Sequence, residues 1–166
     1  MSWLEKEIPW KNIKWYVLAL LIIDLGHAVV GMWLIQALHL HLSSPGSVWP
    51  VMTPLTLLDV AVLVSFEEAV FRLPLGFAMR QGLSIGKVLC LAGISSVIFG
   101  ILHGGLDHIP VQGLSGFLDC ILFIKCAGGG RSIQKAMVAV VSTHYLYDLA
   151  LIVFLICSGG LTFRAW

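Results

Sequence analysis

The chain has 166 residues, of which 58% are hydrophobic and 11% charged, and it carries a formal net charge of +1. So few charges cannot cover a soluble domain of this length, and the expected surroundings are mostly lipid. The ten Lys and Arg residues are scattered in small groups, with no basic stripe or tail, which argues against nucleic acid as a partner.

A bilayer is crossed by about 20 apolar residues in a helix, and five stretches approach that length. They cover 15–38, 48–66 (continuing through charged residues towards Arg80), 85–102, 109–124 and 133–157. The expected fold is all-α, a polytopic membrane helix bundle of about five to six helices. The fourth stretch is short and contains glycines ("VQGLSGFLDC"), so a tilted, broken or re-entrant segment is expected there. The first is longer than the apolar part of a signal peptide, about 7 to 15 residues, and no small-residue cleavage site follows it, so it reads as a retained anchor. No repeat or linker divides the chain, and residues 1–166 are expected to form one domain.

The segments 39–50 and 103–110 contain no Lys or Arg, whereas Lys6, Lys11, Lys14, Arg80, Lys87, Lys125, Arg131 and Lys135 flank the alternate ends. By the excess of basic residues on the inner side, residues 1–14 are expected to be cytoplasmic, with Arg164 the one exception. At about 1.5 Å rise per residue, Glu67 lies about 20 Å from Arg80, His103 about 24 Å from Lys87 and His144 about 20 Å from Arg131. All three would then share one level, past the midplane on the non-cytoplasmic side.

A charge in hydrocarbon costs at least about 2.5 kcal/mol and needs a partner or a task. In "FEEAVFRLPL", Glu68 and Arg72 stand four apart on one helical face and suit a structural salt bridge. Glu67 points about 100° away and needs its own explanation, such as general acid or base work. In "STHYLYDLAL", His144 and Asp148 repeat the four-residue spacing and are expected to hydrogen-bond. His103 ends the third stretch beside two glycines. Asp24, His27 and Asp59 read as packing or supporting groups. The four cysteines lack zinc-site spacing; three lie in or at the ends of apolar stretches and read as small hydrophobes, and Cys126 lies near a loop expected to be cytoplasmic, so no structural disulfide is expected.

Three motifs, "EEAVFR", "FGILH" and "HYLYD", follow one another on successive apolar stretches. In order and spacing they resemble the Glu-Glu-x-x-x-Arg, Phe-x-x-x-His and His-x-x-x-Asn/Asp motifs of the CAAX-protease and bacteriocin-processing family of intramembrane proteases. The resemblance covers Glu67 to Asp148, about half of the chain, and implies a minimal glutamic-type peptidase without a metal cofactor. It implies that Glu67 and His103 hold and deprotonate a water, that His144 and Asp148 occupy the oxyanion-stabilising positions, that Glu68 and Arg72 brace their helix, and that Phe99 packs beside His103. Asp148 stands where the family often has Asn; an ionised Asp can only accept, so its expected role is to hold His144 as imidazolium.

Small bacterial members of that family resemble sorting proteases, which implies a bacterial cytoplasmic membrane and, as substrate, a membrane-anchored protein or peptide, cut at a C-terminal anchor or sorting signal of an exported protein. The residues leave three alternatives open: a zinc-dependent membrane protease using the same Glu, His and Asp side chains, a non-catalytic scaffold or immunity protein, and a proton-coupled transporter.

Overall fold

The computed structural model describes residues 4, 6, 8–37, 51–157 and 162–163. Five helices form an all-α bundle: α1 (Ile13–Ala37), α2 (Pro54–Arg80), α3 (Ile85–Leu102), α4 (Leu114–Ala127) and α5 (Ile133–Cys157). A two-residue parallel pairing, Val51–Met52 with Thr162–Phe163, joins the chain ahead of α2 to the chain beyond α5. The segment 39–50, Leu38 at the end of the first expected stretch, and Arg164 lie outside the described residues.

Among the described residues, four segments are long and apolar enough to cross a membrane: Trp10–Gly31, Ile85–Leu102, Ile109–Ala127 and Ile133–Cys157. The chain is therefore a multi-pass membrane protein. Helix α2, at 27 residues, extends about 40 Å and is also long enough; its charged middle lowers its apolar character. Large apolar side chains are exposed along the other helices, including Ile22 and Val29 on α1, Val62 and Phe66 on α2, Ile94 on α3 and Phe154 on α5. In lipid such faces incur no hydrophobic penalty.

Helix α4 is the centre of the bundle. It packs against each of the other four helices, and from Leu122 to Ala127 every residue is buried. A polar side chain on its inner face is therefore cut off from both lipid and water.

The start of α2 is set by local chemistry six residues later than the apolar run suggests. Thr53 accepts from the Thr56 backbone N–H (3.3 Å) while its own N–H donates to Thr56 Oγ1 (3.1 Å), and Pro54 occupies the first turn. This reciprocal cap with an N-terminal proline nucleates the helix there.

The fourth stretch runs as one helical segment, Ile109–Ala127, whose first turn is irregular. After α3 the chain makes a 3-10 turn at Leu106–His108 and a π-helical turn at Ile109–Gly113 before α4 begins. The two backbones nearly touch: a Cβ on Gly100 would lie 2.9 Å from Ile109 Cα and 3.0 Å from Gly113 N. Small residues permit such contact between membrane helices. Gly100→Val should therefore destabilise the protein by about 1–3 kcal/mol through overpacking, read as a lower unfolding midpoint in detergent.

At the opposite end, basic side chains bind backbone rather than simply flanking loops. Lys125 Nζ donates to Lys6 O (3.2 Å), Lys135 Nζ to Ile8 O (2.8 Å) and Arg80 Nε to Gly130 O (3.1 Å). Lys125 and Lys135 are buried, because they tie the N-terminal segment across the ends of α4 and α5.

Candidate active site

Helix α2 buries Glu68 and Arg72 together, both with 0% exposure. Arg72 Nε donates to Glu68 Oε2 at 2.9 Å and Nη2 to Oε1 at 3.3 Å, a two-pronged pair. Arg72 Nη1 also donates to Cys120 Sγ (3.3 Å), and Nη2 lies 3.9 Å from Asp119 Oδ2 on α4. The guanidinium stands 5.6 Å from the centre of the Phe99 ring. The planar fork thus meets carboxylates, sulfur and an aromatic face at once, which Lys could not do.

Helix α5 brings His144 onto this pair. Its Nδ1 donates to Glu68 Oε1 at 2.9 Å. The expected bond between His144 and Asp148 is not formed: Nε2 and Asp148 Oδ2 are 3.8 Å apart, beyond hydrogen-bond length. The four-residue spacing puts the two side chains on one face, but the buried Glu68 carboxylate turns the imidazole towards α2. Glu68, expected only to brace its helix, is thus the group that orients His144.

His103 follows the last residue of α3, and its Nδ1 lies 2.8 Å from Phe99 O. A carbonyl oxygen only accepts, so Nδ1 carries the proton and Nε2 of the neutral ring offers a lone pair. That Nε2 is 3.9 Å from Glu67 Oε2. Phe99 stacks against His103 with ring centres 4.1 Å apart and lies 6.0 Å from His144, so it separates and positions the two imidazoles.

Glu67 therefore lies between the two imidazoles, with Glu67 Oε2 also 4.0 Å from His144 Nε2, and Asp148 adjoins His144 at 3.8 Å. Separations of this size are too long for direct hydrogen bonds and suit a bridging water. Unlike Glu68, the Glu67 side chain is 22% exposed and that of His103 29%. Both line an open groove of about 430 Å³ between α2 and α3, whose other walls are Leu63, Phe66, Val70, Phe71 and Leu102.

The supporting groups divide. Asp24 on α1 is buried and accepts from Ser115 Oγ at 2.9 Å. His27 Nε2 donates to Pro110 O at 3.0 Å, fastening α1 to the π-helical turn. Asp59 is exposed on α2, away from this cluster. All four cysteines are free, with Cys120 and Cys126 buried. Cys120, which reads from sequence as a small hydrophobe, and Asp119, which the sequence analysis does not single out, are site neighbours. Asp119 is a lone acid in "GFLDC", a charge within an apolar stretch that needs a partner or a task.

Two donor sets bear on a metal. Ligand atoms of Glu68, Asp119 and His144 lie within 4.8 Å of one another. Both oxygens of Glu68 are already bound by Arg72 and one also by His144 Nδ1, so the guanidinium supplies the positive charge there and the trio does not fit zinc. Glu67, His103, His144 and Asp148 have suitable donor types, but their neighbouring pairs stand 3.8 to 4.0 Å apart, wider than the edge of a zinc tetrahedron, about 3.4 Å, and no three of them bring ligand atoms within 4.8 Å of one another. No family model, curated protein or solved structure matches the chain, so the site is read from its own geometry.

Proposed function

We propose that the protein is a glutamic-type intramembrane endopeptidase that cuts a membrane-anchored protein with a water activated by Glu67 and His103. One observation carries the reading: His103 Nε2 and His144 Nε2, on separate segments, approach the same Glu67 oxygen at 3.9 and 4.0 Å. The order of the three motifs, and their resemblance to the CAAX-protease and bacteriocin-processing family, supports the same chemistry.

The steps balance as follows. A water donates one hydrogen bond to Glu67 Oε2 and one to the unprotonated Nε2 of His103, which leaves its lone pair free for the scissile carbonyl. Glu67 takes the proton as the C–O bond forms. The oxyanion then meets Nε2–H of His144, held as imidazolium by Glu68 at Nδ1, with Asp148 adding negative charge near the ring. When the C–N bond breaks, Glu67 returns the proton to the leaving amine. A donor of this kind in a dry pocket contributes about 3–4 kcal/mol to the rate.

The substrate follows from placement. The basic groups that bind the N-terminal segment and the turn after α4 cluster at the end of the bundle opposite His103. With that end cytoplasmic, the site faces the outer half of a bacterial cytoplasmic membrane and meets the C-terminal anchor or sorting signal of an exported protein. The groove between α2 and α3 gives a lipid-embedded peptide a route to Glu67.

The test is to incubate candidate anchored proteins with the purified enzyme and find new termini by mass spectrometry, with and without chelator. New termini that need both Glu67 and His103 and persist in chelator are expected. Loss in chelator, restored by zinc, would replace the mechanism with a metal-dependent one. A cellular phenotype that survives Glu67→Gln would instead favour a scaffold.

A further inference from the structure

A second cavity, separate from the groove at Glu67, has a volume of about 10 Å³ and is lined by Asp24, Phe99, Gln112, Ser115, Asp119, His144 and Tyr147. Its size matches a single water-sized particle. Asp119, 4% exposed, lines it, and among the described residues Asp119 Oδ1 has no hydrogen-bond partner. Its other oxygen is 3.9 Å from Arg72, too far for a hydrogen bond.

Charge is also out of balance here. Asp24, Glu68 and Asp119 are buried together, and Arg72 is the one permanent cation facing them. Arg72 is engaged two-pronged by Glu68, and His144 Nδ1 also serves Glu68. His144, an imidazolium by its bond to Glu68, offsets one more acid, and the three acids still leave one negative charge; Arg72 stands 3.9 Å from Asp119, and Asp24 has a neutral donor, Ser115. A water would satisfy Asp119 Oδ1 but would bring no charge; a cation brings both. The lining is rich in oxygen, with carboxylates, a hydroxyl, a phenol and an amide, and the nearby thiol of Cys120 is turned to Arg72. Such donors select a hard ion. Mg²⁺ keeps several waters, for which this volume has no room, and Ca²⁺ would bring one positive charge more than the site lacks. Gln112 comes from the π-helical turn, a local irregularity that recurs at functional sites.

We propose that this cavity binds one dehydrated sodium ion, with Asp119 Oδ1 as its anchor and oxygens of Asp24, Ser115, Gln112 and Tyr147 around it. The ion balances the buried acids behind His144 and joins α1, α4, α5 and the π-helical turn. The proposal does not depend on the proteolytic reading.

The test is the unfolding midpoint of the purified full chain in detergent, titrated with NaCl, KCl or choline chloride at equal ionic strength. Sodium should raise the midpoint saturably, by about 3–6 °C at a tenfold excess over its dissociation constant, while potassium and choline should not. Asp119→Asn should abolish the sodium response, and Glu67→Gln, outside the cavity, should keep it. If Asp119→Asn does not accumulate, Asp24→Asn gives the same readout. Equal midpoints in all three salts, or a full sodium response in the cavity variant, would overturn the proposal.

Discussion

Arg72→Met should destabilise the folded protein by about 3–5 kcal/mol and sharply lower its accumulation in the membrane. The substitution keeps much of the volume but leaves the Glu68 carboxylate, fully buried, without its two-pronged partner. It also strips the nearest cation from Asp119 and the donor from Cys120 Sγ. In hydrocarbon the stranded charge has no route to water, so the penalty falls on the fold. Arg72→Lys should rescue little, because an ammonium cannot span both Glu68 oxygens and the sulfur while lying over Phe99. The double variant Glu68→Gln, Arg72→Met should recover part of the loss, since removing both charges avoids an unpaired one. Denaturant unfolding of the detergent-purified variants measures each step. A single variant within about 1 kcal/mol of wild type would mean that the pair is not the charged keystone described here.

The helices were legible because a membrane span leaves a long, simple signature. Ile85–Leu102 and Ile133–Cys157 coincide with their apolar runs. The second helix begins later than its run because Thr53, Pro54 and Thr56 build a cap, and capping overrides apolarity at a helix end. The π-helical start of the fourth stretch lies where Gly100 closely approaches Gly113, a contact between segments that no single stretch encodes. The same distinction governs the site. Helical spacing could pair Glu68 with Arg72, and equal depth could bring Glu67, His103 and His144 to one level, since both depend only on rise and turn. The partner of His144 could not be found that way. Its nearest acid in sequence is Asp148, but its hydrogen-bond partner, Glu68, is 76 residues away on another helix. Asp119 was open to the rule applied to the other intramembrane acids, and its relation to Arg72 emerges only once α4 is seen as the buried central helix.

Glu67→Gln should reduce turnover by about 10²–10⁴-fold while leaving the unfolding midpoint near that of wild type. Glu67 stands apart from the buried pair, partly exposed, and meets both imidazoles at distances too long for hydrogen bonds. Neutralising it therefore removes a proton acceptor without stranding a partner. Asp148→Asn discriminates between two ways of holding His144. If Asp148 were the group that keeps the ring charged, its loss would match that of Glu67. With Nδ1 already held by Glu68 at 2.9 Å and Asp148 at 3.8 Å from Nε2, turnover should stay within about tenfold of wild type, some 1.4 kcal/mol. Glu68→Gln should lose both stability and turnover, because one carboxylate serves Arg72 and His144 together. Single-turnover rates and unfolding midpoints on the same preparations separate the three cases. A rate drop in Asp148→Asn as deep as in Glu67→Gln would return the orienting role to Asp148 and leave Glu68 a purely structural one.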